Sequence, residues 1–106
     1  MSEKYILDGK KVVKCDDLNT WAQWFEKADR KVAFDDKNGI SVSTVFLGLN
    51  HNWGEGEPLI FETMIFGGPH NEDQQRYSTW EEAEIGHKKM CRRAFRKQKV
   101  ERNAKV

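Results

Sequence analysis

The sequence predicts an α+β domain, an antiparallel sheet of about four to five strands with two helices packed on one face. Two segments, Leu18 to Ala28 and Trp80 to Lys97, repeat apolar residues at helical spacing. Between them lie runs rich in β-branched and aromatic residues, the composition of strands. The order reads close to ββαββββα, and successive strands with no helix between them pair antiparallel.

Taken in order, Tyr5-Ile6-Leu7, Asp8-Gly9 and Val12-Val13 read as a small hairpin, since Asp-Gly accepts the positive φ of a two-residue turn. The first helix follows. Thr20 and Gln23 match a capping box, with Asp17 and Asn19 as competing caps. At about 100° per residue, Leu18, Trp21, Trp24, Phe25 and Ala28 fall within roughly 120° of arc, which predicts that both tryptophans are core. Lys31 to Phe34 reads as a short strand and Asp35 to Gly39 as a turn, its Asn-Gly pair suited to left-handed geometry.

Two longer strands, Ile40 to Leu49 and Leu59 to Phe66, pair as neighbours. Placing Asn50 opposite Pro58 sets Phe46 against Glu62 and Thr44 against Met64. Both faces of 40–49 carry apolar residues, so homodimerisation through the sheet face or an edge strand is expected to be open to this chain. After a polar loop, Arg76-Tyr77 adds a short strand. The second helix starts on a capping box, either Ser78 with Glu81 or Thr79 with Glu82. Trp80, Ala83, His87, Met90, Cys91 and Ala94 share one arc, and Gly86 inside it costs about 1 kcal/mol relative to Ala, which points to a kink or a close contact.

One domain is expected over residues 1–97, with a basic tail over 98–106. The net charge of +1 over 106 residues conceals a division: residues 1–85 carry 9 basic and 16 acidic side chains, residues 86–106 carry 9 basic and one acidic. Glutamates fill the first turns of the second helix and cations its last, as the helix dipole favours without any ligand. Cys15 and Cys91 are isolated, which signals neither a disulfide framework nor structural zinc. No signal-like or membrane-spanning segment is present in this sequence, so the expected location is the cytoplasm.

Three groups of residues compete as functional candidates. The loop Asn50 to Glu57 joins the two central strands, and Asn50, His51, Asn52 and Trp53 suit hydrogen bonding and stacking with a nucleotide-like ligand. Glu62 is a carboxylate inside an apolar strand and needs a partner, for which Arg76 is the candidate. An acid–base pair of His51 and Glu62 lacks a nucleophile or a ligand set, so an enzyme is not expected. On the second helix, Lys88, Lys89, Arg92, Arg93, Arg96 and Lys97 line the face opposite the apolar arc and suit phosphate contacts. His70 and His87 read as structural; no metal site and no cofactor are expected, and the P-loop pattern is missing.

The stretches YILDGKKVVKCDDLNTWAQWFE, STVFLGLNHNWGEGEPLIFETMIFGG and RYSTWEEAEIGH resemble a small family of uncharacterised proteins encoded by bacteriophages and prophages. The resemblance covers most of residues 4–90, with Asn50 standing where the family pattern has Asp. It carries no catalytic residues over. It implies a small cytoplasmic accessory protein of the bacterial host cell that binds stoichiometrically, occluding a host protein or sequestering a nucleotide signal, for instance against a host defence. The surface expected to act is Asn50, His51, Trp53, Glu62 and Arg76. The alternative is a nucleic-acid-associated protein using the basic helix.

Overall fold

A computed structural model describes residues 3–96. The element order is β1 (Tyr5–Asp8), β2 (Lys11–Lys14), α1 (Leu18–Lys27), β3 (Lys31–Lys37), β4 (Ile40–Phe46), β5 (Phe61–Phe66), β6 (Gln74–Tyr77) and α2 (Trp80–Phe95). β1 and β2 form a separate two-stranded sheet, and the other four form one antiparallel sheet in the order β3-β4-β5-β6. The α+β expectation holds. The expected tail, 98–106, lies outside the described residues, as does Lys97.

Local chemistry explains most boundaries. Asn38 and Gly39 both have positive φ, 52° and 81°, so the two-residue β3–β4 turn matches strand twist and lets β3 run on to Lys37, three residues past its predicted end. α1 starts at Leu18 because Asp17 is its cap: the carboxylate accepts the Thr20 backbone N–H at 3.0 Å and also the Thr20 hydroxyl. Thr20 is therefore inside the helix rather than its cap. α2 uses the second of its two frames, with Thr79 Oγ1 accepting from the Glu82 N–H at 3.1 Å and the Glu82 carboxylate accepting from the Thr79 N–H at 3.2 Å.

The central register is one residue away from the predicted one. Phe46 lies opposite Phe61, Val45 opposite Glu62 and Thr44 opposite Thr63. The cause is Gly48, whose φ of 79° takes the chain off β5 so that Leu49 bridges to Lys4 beside β1. Counting back from the loop therefore slips the strand. Because side chains alternate faces, the difference takes Glu62 and Met64 off the face that carries Thr44 and Phe46 and puts Phe61, Thr63 and Ile65 there.

Val42, Thr44 and Phe46 on β4 and Phe61, Thr63 and Ile65 on β5 form the buried face. α2 lies across all four strands of that face through Ala83, His87, Met90 and Ala94. α1 reaches the same face at its Phe46 end, where Trp24 meets Phe46 edge-on at 5.7 Å. Trp21 and Trp24 are half-buried, not core as predicted, since α1 packs mainly on β1 and the sheet end. Trp21 Nε1 donates to the Tyr5 and Gly48 carbonyls at 3.1 and 3.2 Å. At Gly86 a Cβ would stand 2.1 Å from the Tyr77 ring, so this glycine marks the close contact that lets β6 meet the helix.

Candidate functional site

Inside the sheet–helix interface runs a chain of polar side chains. The Tyr77 hydroxyl donates to Thr63 Oγ1 at 3.0 Å, Thr63 meets Thr44 Oγ1, and Thr44 Oγ1 lies 2.7 Å from His87 Nδ1. His87 Nε2 in turn lies 2.7 Å from Asp35 Oδ2 on β3, which also accepts a long contact of 3.6 Å from the Cys91 thiol. Register explains the convergence. Thr44 and Thr63 are directly opposed on the helix-facing side, Asp35 is opposite Val42 on that side, and His87 and Cys91 are one turn apart on α2.

The chain is graded from dry to wet. Thr44 and Thr63 are inaccessible, the His87 side chain is 5% exposed, and the Asp35 side chain is 58% exposed. The hydrogen bond from His87 holds the Asp35 carboxyl below the usual carboxylate range. Burial, together with the Asp35 charge, pushes the Cys91 thiol up to about 11. Burial also raises the Tyr77 hydroxyl. Asp35, His87 and Thr44 contain the residue types of a hydrolytic triad, yet the hydroxyl that would attack is sealed from solvent, so no substrate atom can reach it.

The predicted loop makes many of its polar contacts with itself. Asn50 Oδ1 accepts from the Asn52 and Leu59 backbone N–H groups at 2.8 and 3.0 Å, and its amide donates to Glu3 at 3.0 Å. Asn52 Oδ1 accepts from the Gly54 N–H at 3.0 Å, while its amide donates to the Glu55 and Glu57 carbonyls. The Asn52 amide is thus spent on the loop itself, and that of Asn50 on the loop and on Glu3. His51 Nδ1 donates to the Leu49 carbonyl at 2.9 Å, and Trp53 projects with 82% of its surface exposed.

Glu62 and Arg76 are directly opposed on β5 and β6 and form the expected ion pair, 3.0 Å from Nε to Oε2. They lie on the sheet face away from α2, so neither meets His51, whose hydrogen bond goes to Leu49. Around them on that face stand Phe34, Val45, Met64 and Phe66, the two phenylalanines 51% and 48% exposed. The five predicted site residues therefore divide between the loop and this open face.

Lys88, Lys89, Arg92, Arg93 and Arg96 are exposed on α2 and at its end. Lys89 and Arg93 border a groove between α2 and β6 that also includes Ile85, Gly86, Met90 and Arg76. Arg93 pairs with Asp73 at 3.5 Å.

Asp35 was not among the predicted candidates. His87 and Cys91, four apart on one helical arc, were the available signal; what the residues alone lacked was the strand position facing them. Comparison with protein families, with curated proteins and with solved structures finds no match to this chain.

Proposed function

We propose that the protein acts by stoichiometric binding, as a small accessory protein of phage or prophage type that docks a host protein on the open face of its four-stranded sheet. The observation that carries this reading is that face itself. α2 occupies one side of the sheet, whereas the other side presents Phe34 and Phe66 about half exposed around the Glu62–Arg76 pair, with Val45 and Met64 between them. Apolar groups ringed by polar ones at such a density mark protein contact surfaces. Two further points support binding over chemistry and over nucleotide capture. Thr44 is sealed, and the amides of Asn50 and Asn52 already have partners within the loop and at Glu3.

The family resemblance supplies the context: a phage-encoded protein in the bacterial cytoplasm, directed at host takeover or at a defence protein. The test is site-resolved crosslinking in host lysate, with a photoreactive residue at Phe34, Phe66 or, as a control, Lys10 on the distant hairpin. Adducts to one host protein from positions 34 and 66, and none from position 10, are expected. Equal labelling from all three positions rejects the open face. A thermal shift with a nucleotide or cyclic nucleotide, lost in Trp53→Ala, would instead favour signal sequestration through the loop. If the adduct at 34 and 66 is a second copy of this chain, the occupant is a homodimer partner.

A second reading rests on α2, where five cations occupy successive exposed turns and, among the described residues, only Arg93 is ion-paired. Nucleic-acid binding there predicts affinity that falls steeply with salt, and neutralising Lys88, Arg92, Arg93 and Arg96 would reduce the slope by about 0.7–0.9 per lost phosphate contact. Absence of binding to DNA and RNA at low salt rejects it.

A further inference from the structure

We propose that Asp35, His87 and Cys91 form a three-ligand site for a divalent transition metal of the zinc class. One donor atom from each lies within 4.8 Å of the others. His87 and Cys91 project from consecutive turns of α2, and Asp35 meets them from the edge strand β3. Imidazole, thiolate and carboxylate together suit zinc or cobalt; magnesium and calcium prefer all-oxygen shells. Two anionic ligands also neutralise a divalent ion, which fits a position at the edge of the core.

Two of the three separations can be set beside those of a bound ion. Ligand atoms at bonds of about 2.0–2.3 Å in a tetrahedron stand roughly 3.3–3.7 Å apart. Cys91 Sγ and Asp35 Oδ2 are already 3.6 Å apart. Asp35 Oδ2 and His87 Nε2, at 2.7 Å, need to separate slightly, and the carboxylate is the exposed member able to turn toward solvent. His87 is the fixed member. Its other nitrogen is held by Thr44, which is backed by Thr63 and Tyr77. A hydroxyl can donate or accept, so Thr44 Oγ1 can accept a hydrogen bond from the Nδ1–H when Nε2 binds the ion, the outer-shell support that ligating histidines commonly have. Cys91 gives up its thiol proton to solvent on binding. Asp35 is the solvent-facing member, its side chain 58% exposed, so a fourth ligand would be water or a donor from a bound molecule.

The same geometry without a metal is an internal His87–Asp35 hydrogen bond, and Cys91 separates the two cases because that bond does not need a thiol. The full chain, stripped with a chelator, is titrated with Co²⁺ alone and then with Zn²⁺. One equivalent of Co²⁺ is expected, with a thiolate-to-metal charge-transfer band and tetrahedral ligand-field bands, all bleached by Zn²⁺. Cys91→Ser should lose the charge-transfer band and weaken Co²⁺ binding by about 100-fold or more, and Asp35→Asn by at least about 10-fold, on the scale by which even outer-shell changes act. Both variants should keep the parent's circular dichroism, since neither side chain is in the sealed core. Parent protein that binds no Co²⁺ at millimolar concentration overturns the proposal. So does a thiolate band that survives in Cys91→Ser, which would place the ion at Cys15, or equal affinity in all three proteins. The site and the open face lie on opposite sides of the sheet, so crosslinking at Phe34 and Phe66 and metal binding succeed or fail separately.

Discussion

Thr44 joins the polar chain at its driest point, and valine in its place would keep the shape while removing the hydroxyl between His87 and Thr63. Leaving buried partners unmatched costs about 1–3 kcal/mol. Thr44→Val is therefore expected to lower the urea midpoint without changing the slope, and an unchanged midpoint would mean that the chain contributes no stability. Tyr77 adds a pH dependence. Burial raises its hydroxyl above the ordinary value of 10.0, so the stabilisation by the neutral phenol is complete below that pH and is lost as pH rises through the higher folded value. Stability should fall on the alkaline side, and Tyr77→Phe should flatten that limb relative to the parent in a melt series. The Glu62–Arg76 pair was legible in the sequence because a carboxylate within an apolar strand needs a partner nearby. The Asp35–His87 pair was not, since 52 positions separate the two and their meeting depends on a strand register.

At the scale of elements, α2 is decided by its first turn and by one glycine. Thr79→Ala removes half of the capping box and is expected to cost about 1 kcal/mol. Gly86→Ala would gain about 1 kcal/mol in helix propensity, yet its Cβ would stand 2.1 Å from the Tyr77 ring. Overpacking of this kind costs about 1–3 kcal/mol, so a net loss is expected in thermal or urea unfolding. A more stable Gly86→Ala variant would mean that β6 can move away from the helix. The anticipated close contact at Gly86 was readable because glycine inside a helical pattern is unfavourable unless something needs the space. The slip between β4 and β5 was not readable. Gly48 diverts the chain toward Lys4, a pairing between distant segments that no local pattern announces.

For the whole molecule, the division of surfaces matters most. One face of the sheet is sealed by α2, with Phe46, Phe61, Ile65 and Val42 fully buried, and each such side chain contributes about 1.5–3 kcal/mol. The other face is left to solvent. A Phe34→Ser, Phe66→Ser double variant should therefore change stability by no more than about 1 kcal/mol, since exposed substitutions usually stay within about 0.5 each. It should nonetheless abolish the host adduct formed by a photoreactive residue at Met64 on the same face. Trp53→Ala, at the tip of the loop, should likewise leave the melting temperature unchanged. A marked loss of stability in either variant would show that these rings are structural.

The sequence by itself determined the α+β class, the eight elements in order, the two caps as alternatives and the asymmetry of charge, because period, turn chemistry and composition act over a few residues. Only the tertiary structure decided which side chains share a face. A one-residue difference in register sent Glu62 outward and set Thr63 beside Thr44 on the buried face, and the packing of α2 across β3 brought Asp35 to His87 and Cys91. Strand register and helix docking are set by contacts between segments far apart in the chain, and the residues along any one segment do not contain them.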